Sequence, residues 1–229
     1  MPIIEKHKLI FQHVPKTAGI SICNFFGVDV HGHHHLNFYC EKLGNEKYAE
    51  YKTFSIIRNP INRFVSAWNM YRDPPEHVKN NKLLQNVRKR YSSFFDNDIN
   101  DFITYDNLKK LCEDTDSFHF WSVLSFYCSN TAIKENSAIV EFNENALKNV
   151  QVNPPDIVLN FHKLNDDLEL MSRAFGFEFD VLKKLNHRPY NTSLSKRSAG
   201  LLHEFFQYDF RLIEWLLDNK HISKYASNL

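Results

Sequence analysis

The segment Lys8-Leu-Ile-Phe-Gln-His-Val-Pro-Lys-Thr-Ala-Gly-Ile-Ser-Ile-Cys-Asn-Phe-Phe26 carries the pattern that decides the fold. Its first seven residues predict a short strand, which ends at Pro15 because proline lacks the N–H that a central strand uses. A tight polar turn follows at residues 16–19. Residues 20–26 then predict a helix that stops at Gly27. The first thirty residues therefore predict the order strand, turn, helix.

The same order recurs further along the chain. Residues 51–57 are rich in β-branched and aromatic side chains and predict a second strand. The turn Arg58-Asn59-Pro60 follows, and Pro60 suits the first position of a helix. Apolar residues then recur at helical spacing over residues 61–68. A second strand-turn-helix unit is therefore expected here.

Four later segments extend this alternation. Residues 138–142 and 157–161 predict strands, whereas residues from about 165 to 175 and from about 196 to 217 predict helices. Alternating strands and helices indicate an α/β fold with a mostly parallel sheet. Right-handed crossovers then place helices on both faces of that sheet. We expect a single domain over residues 1–229, with a sheet of five or a similar number of strands.

One stretch, at about residues 73–118, departs from the alternation. It is polar, basic in its middle and mostly helical in pattern, and it predicts an insertion beside the α/β core. The basic run at residues 87–91 within it is compatible with contact to an acidic saccharide. A solvated helix face explains the run better, because that is the commoner role of such charges.

Composition excludes several classes of protein. The 229 residues include 28 Lys and Arg against 27 Asp and Glu, a balance that argues against a globally basic nucleic-acid binder. No segment has the roughly 18 uninterrupted apolar residues of a membrane helix, and the first residues do not form a secretory signal. Four scattered cysteines contain no Cys-x-x-Cys pair. We therefore expect a cytoplasmic protein with reduced thiols and no transmembrane segment.

Residues 14–21 have the layout of an anion site. A strand that turns sharply into a helix presents free backbone N–H groups and the positive end of the helix dipole. Lys16 adds a point charge, Thr17 and Ser21 add hydroxyl groups, and the small Ala18 and Gly19 let an anion approach the backbone. The segment is not a Walker A loop, because the lysine stands at the start of the turn. An ordinary polar turn explains the pattern about equally well.

A second anion site is indicated at residues 58–66. Arg58 follows the second strand, Arg63 comes one turn into the next helix, and Ser66 follows eight residues after Arg58. Ligands of open α/β sheets bind beyond the carboxyl ends of the strands, so both turns should open on the same edge. Arg58 can bind a phosphate in bidentate fashion. Surface arginines at a helix start are the alternative, but two such sites together suggest a ligand with two separated anionic groups.

These segments resemble a known family, the carbohydrate sulfotransferases. His13-Val-Pro-Lys-Thr-Ala-Gly-Ile-Ser21 resembles the family's 5′-phosphosulfate-binding motif, and Ile57-Arg-Asn-Pro-Ile-Asn-Arg-Phe-Val-Ser66 resembles its 3′-phosphate-binding motif. The segment His31-Gly32-His33 is similar to the His-Gly-His segment of the heparan sulfate 2-O-sulfotransferase branch. The resemblance is specific over residues 8–72 and weaker over residues 156–217.

The resemblance implies a P-loop-NTPase-like three-layer fold and the donor 3′-phosphoadenosine 5′-phosphosulfate. The enzyme would transfer the sulfuryl group to a hydroxyl of a carbohydrate or glycolipid acceptor, without a metal. Lys16 would stabilise the charge that develops on the bridging oxygen. The donor-binding residues that the resemblance implies are Lys16, Thr17, Ala18, Gly19, Ile20, Ser21, Arg58, Ser66, Asn191 and Thr192. Asn191 and Thr192 belong to a loose motif, and a capping turn before the final helix explains that loop about equally well.

The run His31-Gly32-His33-His34-His35 lies between the two anion motifs. A neutral histidine suits general-base catalysis at neutral pH. By resemblance His33 is the leading base and His31 a supporting or substrate-contacting residue, although the neighbouring histidines leave the position open by one residue. Metal binding and a solvent-exposed histidine-rich loop are the competing interpretations. His119 and His203 lie in amphipathic stretches and are interpreted as packing or surface residues.

Two other classes of function compete with a sulfotransferase. A nucleotide kinase or NTPase would use similar anion sites, but the chain has no Walker A loop and no clear acidic residue for Mg²⁺ after an apolar strand. A non-catalytic nucleotide-binding module would keep the anion sites without turnover, which Lys16 and His33 argue against. The primary hypothesis is a cytoplasmic, bacterial sulfotransferase, with its acceptor and its oligomeric state left open.

Overall fold

Three parallel strands and one antiparallel strand form a sheet in the computed structural model, which describes residues 2–29, 32–34, 36–127, 154–182 and 192–227. The strands are β1 (Ile3–Ile4), β2 (Leu9–Gln12), β3 (Lys52–Ile57) and β4 (Ile157–Asn160). Their order in the sheet follows their order in the chain. β1 pairs antiparallel with β2, whereas β2 with β3 and β3 with β4 are parallel. The predicted mixed α/β architecture with a mostly parallel sheet is therefore confirmed.

Helices connect and surround these strands in the described part of the chain. The first four are α1 (Gly19–Phe25), α2 (Leu36–Leu43), α3 (Asn45–Tyr48) and α4 (Pro60–Arg72). The next six are α5 (Glu76–Lys79), α6 (Lys82–Arg90), α7 (Ser92–Phe95), α8 (Ile99–Phe102), α9 (Tyr105–Glu113) and α10 (Val123–Tyr127). The last four are α11 (Leu164–Phe175), α12 (Lys196–Phe205), α13 (Gln207–Lys220) and α14 (Ile222–Ala226). A 3-10 segment, Thr115–Phe120, lies between α9 and α10, and two more cover Glu5–His7 and Phe161–Lys163.

Both faces of the sheet are buried against helices. Successive residues of a strand point to opposite faces of the sheet. Phe11 and Phe54 pack with α1 and α11 on one face. Ile57 and Val158 pack with α10 and α13 on the other face. Burial on both faces explains why the parallel strands are nearly continuous apolar runs in the sequence.

The helices between residues 73 and 120 share one apolar cluster with α4 and α12. Phe95 and Phe102 lie against Trp68, with ring centroids 5.1 and 4.7 Å apart. Trp68 is fully buried, as expected for a core residue. The interpretation of residues 73–118 as an insertion stays a prediction. Arg90 on α6 forms ion pairs with Asp114, which follows α9, and with Asp116 in the 3-10 segment.

Predicted and observed boundaries agree at most elements and differ at one long helix. β2, β3, β4 and α1 lie within one or two residues of each predicted start, and α4 begins at Pro60 as expected. The continuous helix predicted over residues 196–217 is instead two helices, because Phe206 leaves helical geometry at ψ 21°. The strand predicted at residues 138–142 lies outside the described residues.

Gly19 permits a close approach between the loop and the strand before it. A Cβ atom built at this position would lie 1.7 Å from Nε2 of His13, far inside van der Waals contact. The imidazole of His13 is buried and stacks on Phe11. Only glycine therefore lets the start of α1 close over His13.

Replacing Gly19 with alanine is expected to destabilise the protein by about 1–3 kcal/mol, because the methyl group overpacks against His13. Gly200 is a matched control, since it lies at an exposed position of helix α12 and its added Cβ would meet nothing within 4 Å. Gly200→Ala is expected to stabilise the protein by about 0.5–1 kcal/mol through helix propensity. Urea unfolding of both variants measures the two effects, and a shift of the same sign in both would contradict the argument.

Candidate active site

The loop between β2 and α1 has a strained backbone that its hydrogen bonds hold in place. Lys16 and Ala18 adopt left-handed φ angles of 68° and 69°, each costing about 1–2 kcal/mol for a residue other than glycine. The Thr17 hydroxyl donates to the Val14 carbonyl at 2.7 Å, and the Ile22 N–H donates to the Ala18 carbonyl at 3.1 Å. Strain of this kind is typical of ligand-binding loops.

The loop contains two buried hydroxyl groups and several backbone donors. Thr17 is buried and its hydroxyl proton serves the loop itself, which leaves its oxygen lone pairs. Ser21 is also buried, in the first turn of α1. Ala18 precedes the helix without a side-chain cap, so no side chain occupies the N–H groups at Gly19 and Ile20. These donors lie at the N-terminal end of α1, which carries the partial positive charge of the helix dipole.

Lys16 is a half-buried cation without an anionic partner. Its Nζ lies 3.3 Å from Sδ of Met70, a weak acceptor. Within the described residues, no carboxylate pairs with Lys16. Burial, and then the charge of Arg58, lower the Lys16 pKa to about 8. An anion at this position would restore the ordinary pKa.

Arg58 connects the two predicted anion sites. Its Nη1 donates to the Lys16 carbonyl at 2.9 Å, and its guanidinium lies over the Phe161 ring, 4.4 Å from the centroid. Its Nε is buried and has no hydrogen-bond partner in the described part of the chain. Burial, and then the neighbouring Arg63, lower the Arg58 pKa to about 10. Arg58 is therefore a positioned cation with an unused buried donor.

Arg63 has a different location from the surface position considered for it. Its side chain is fully buried, and it donates through Nη1 to the His119 carbonyl at 2.9 Å and through Nη2 to the Trp121 carbonyl. These bonds tie α4 to the 3-10 segment that carries Phe118 and His119. Arg63 thus holds the walls of the site together.

Ser66 lies on α4, and Thr192 contacts the same helix from a distant part of the chain. Ser66 is partly exposed, one turn before Asn69 on α4. Thr192 donates from its hydroxyl to Oδ1 of Asn69 at 2.8 Å. The late loop therefore reaches the helix that carries the second predicted anion motif. Asn191, the other candidate in that loop, lies outside the described residues.

His33 is fixed in one tautomer by its backbone partner. Its Nδ1 lies 2.9 Å from the His13 carbonyl, which only accepts hydrogen bonds, so Nδ1 carries the proton. In a neutral ring Nε2 is then the free base. Burial, the largest cause, lowers the His33 pKa to about 4, although the His13 hydrogen bond opposes this. His33 is thus a neutral imidazole with an available base nitrogen, partly exposed beside Lys16.

The histidines around His33 are not equivalent. His34 stacks on Phe38 at 4.0 Å between centroids. His31 and His35 lie outside the described residues. Within the described part of the chain, no group of three or more His, Cys, Asp or Glu side chains is placed to hold a metal ion.

His119, interpreted from the sequence as a packing or surface residue, lies beside His33 in the structure. Its ring meets His33 edge-on at 6.0 Å between centroids, and its Nδ1 lies 3.0 Å from the Tyr71 hydroxyl. Burial, and then His33 and Lys16, hold the His119 pKa well below its ordinary range. Nothing in the local sequence predicts this location, because it depends on Arg63 binding a carbonyl 56 residues away.

Comparisons with known proteins place the chain in a family. No curated protein and no solved structure matched the chain. In the described residues, no helix has the length and apolar character needed to cross a membrane. The sequence model of the sulfotransferase family matches residues 2–215, which includes both anion motifs and the stretch at residues 73–118. The arrangement of Lys16, Arg58 and His33 thus occurs in a chain that belongs to the sulfotransferase family.

Proposed function

We propose that this protein transfers a sulfuryl group from 3′-phosphoadenosine 5′-phosphosulfate to a hydroxyl of a carbohydrate or glycolipid acceptor. The observation that carries the proposal is the hydrogen bond between Arg58 and the Lys16 carbonyl, which brings the two predicted anion sites to one edge of the sheet. His33 lies at the same edge, since it binds the His13 carbonyl directly before the loop. Two cationic positions and one neutral base match the requirements of the reaction.

The residues present fit this donor. Arg58 keeps a buried, unpartnered Nε and would bind the 3′-phosphate together with Ser66 and Thr192. The N–H groups at the start of α1 and Ser21 would bind the 5′-phosphate. The donor supplies the sulfuryl group and leaves as adenosine 3′,5′-bisphosphate. Burial lowers the pKa of Lys16 and of Arg58, so binding of such anions would stabilise the charged form of both side chains.

In the reaction, the chain moves one proton and stabilises one developing charge. Nε2 of His33 takes the proton of the acceptor hydroxyl while the new oxygen–sulfur bond forms. The bond between sulfur and the bridging oxygen breaks, and its electron pair stays on that oxygen. Lys16 stabilises the resulting negative charge. The His13 carbonyl holds the Nδ1 proton of His33 and stabilises the imidazolium that forms.

A nucleotide kinase fits the same edge of the sheet less well. The parallel strands β2, β3 and β4 are followed by His13, Arg58 and Phe161, none of which is acidic. Phosphoryl transfer from a Mg²⁺ nucleotide normally uses an acidic residue at such a position. The Nε of Arg58, which has no hydrogen-bond partner among the described residues, instead favours a nucleotide that carries a 3′-phosphate.

Arg58→Ala is expected to weaken the binding of adenosine 3′,5′-bisphosphate roughly 10- to 100-fold, because a charged hydrogen-bond donor to phosphate is lost. Calorimetric titration without Mg²⁺ measures this. Arg173→Ala, at an exposed arginine that pairs with Glu169, is the matched control and should leave affinity unchanged. Tighter binding of ATP with Mg²⁺ than of the bisphosphate would contradict the proposed donor.

Affinity for adenosine 3′,5′-bisphosphate is expected to fall as pH rises above about 8. Lys16 binds the anion as a cation, and its pKa of about 8 in the free protein means that binding at higher pH must take up a proton. The dissociation constant should therefore rise by up to about tenfold per pH unit between pH 8 and 9.5. Lys16→Gln should bind more weakly and show no such rise; an equal slope in this variant would assign the titration to another group.

His33→Ala is expected to lower turnover by about 10²- to 10⁴-fold, because the general base is lost. Affinity for adenosine 3′,5′-bisphosphate should stay within about twofold of wild type, since His33 binds no phosphate. His34→Ala is the neighbouring control and should keep most of the turnover, as His34 stacks on Phe38 instead. Assays with radiolabelled donor and a pooled set of hexosamine- and uronate-containing oligosaccharides test this; the reverse pattern would move the base to His34.

A further inference from the structure

The rings of His33 and His119 meet edge-on at 6.0 Å between centroids, with planes 70° apart. Both residues are of intermediate burial. Phe118 stacks on His119 at 4.1 Å and lies 5.0 Å from the His33 ring, which limits the freedom of both imidazoles. Arg63 holds the backbone of this segment through the His119 carbonyl. The two imidazoles are therefore fixed neighbours.

Tyr71 sets the tautomer of His119. The ring of Tyr71 is buried, and within the described residues its hydroxyl has one hydrogen-bond partner, Nδ1 of His119 at 3.0 Å. A buried phenol has a single proton to donate, and burial raises its pKa, so the hydroxyl stays protonated. Donation to Nδ1 makes that nitrogen the acceptor. A neutral His119 then carries its proton on Nε2.

The two histidines consequently present opposite groups. His33 donates from Nδ1 to a carbonyl and offers a bare Nε2, whereas His119 accepts at Nδ1 and offers an Nε2–H. One site thus contains an adjacent proton acceptor and proton donor.

We propose that His119 is a further catalytic residue. Its Nε2–H donates a hydrogen bond to an oxygen of the acceptor substrate, and this oxygen is adjacent to the hydroxyl that His33 deprotonates. A donor on the attacking oxygen itself would withdraw its electron density, so the neighbouring oxygen is the better partner. Two adjacent ring hydroxyls of a sugar have this chemistry. Tyr71 acts as the positioning residue of His119. The assignment of a substrate contact rests on the proposed function, whereas the assignment of the two tautomers does not.

The tautomers are measured directly by ¹⁵N NMR of the imidazole rings in the full-length protein at pH 7. Assignment uses His33→Asn and His119→Gln. A ring nitrogen without a proton resonates far downfield of one with a proton. The expected result is a protonated Nε2 in His119 and a protonated Nδ1 in His33. A protonated Nδ1 in His119 would overturn the proposal, whether or not the protein transfers sulfuryl groups.

Two substitutions of His119 separate its nitrogens. The amide nitrogen of Gln reaches the position of Nε2, whereas the amide of Asn reaches only that of Nδ1. His119→Gln is expected to keep kcat within about threefold, and His119→Asn to lose roughly 10- to 100-fold. Both should bind adenosine 3′,5′-bisphosphate like wild type. The assay uses labelled donor and the same oligosaccharide pool, with His203→Asn as the control, since His203 is exposed and stacks on Phe210.

Tyr71→Phe tests the dyad without emptying the core. It keeps the ring stacked on Phe95 at 5.1 Å and removes only the hydroxyl. It is expected to release the tautomer preference of His119 in the NMR spectrum and to lower kcat at unchanged donor KM. Equal losses in His119→Gln and His119→Asn, in proteins whose thermal melts match wild type, would overturn the proposal. No product from wild type with any acceptor would instead reject the proposed function, and the tautomer result would still decide between the two nitrogens.

Discussion

The hydrogen bond from Nη1 of Arg58 to the Lys16 carbonyl is the contact on which the site depends. It joins the segments that follow two neighbouring parallel strands, and it binds the carbonyl of a residue held at a left-handed φ of 68°. The strained loop and the cation therefore fix one another. Phe161, which follows the third parallel strand, covers the guanidinium. Three strand ends thus meet at one charged group, whose Nε has no hydrogen-bond partner among the described residues.

A second arginine, Arg63, has a structural role. Arg63 is fully buried, and a buried cation is tolerated only where hydrogen bonds replace its lost hydration. The carbonyls of His119 and Trp121 provide them, and the negative charge of Asp209 favours the protonated guanidinium. Asp209 in turn accepts from the N–H groups of Val123 and Leu124 at the start of α10. This chain of contacts connects α4, the 3-10 segment, α10 and α13 into one support for the histidines.

The sequence predicts most of what lies along the strands and much less of what crosses between distant segments. The apolar runs around Phe11 and Phe54 and the proline at the start of α4 are local signals, and the structure agrees with them. The break at Phe206 is hidden, because the apolar pattern continues through it into α13. His119 is interpreted from its amphipathic stretch as a packing or surface residue, whereas its place beside His33 depends on the bonds of Arg63 to two carbonyls. Contacts between backbone and side chain over 56 residues leave no periodic trace in the sequence.

The near neutrality of the chain conceals a local arrangement of charge. Lys16 and Arg58 lie close together without carboxylate partners in the described residues, and burial lowers the pKa of each. The three imidazoles of His13, His33 and His119 stay neutral beside them, because burial and the nearby cations both oppose protonation. A dianionic ligand would reverse that balance: it would stabilise the cations and raise the pKa of His33 toward neutrality. Under the proposed function, the base would then be strongest when the donor is bound, and the charges assigned to the donor would also prepare His33 to accept a proton.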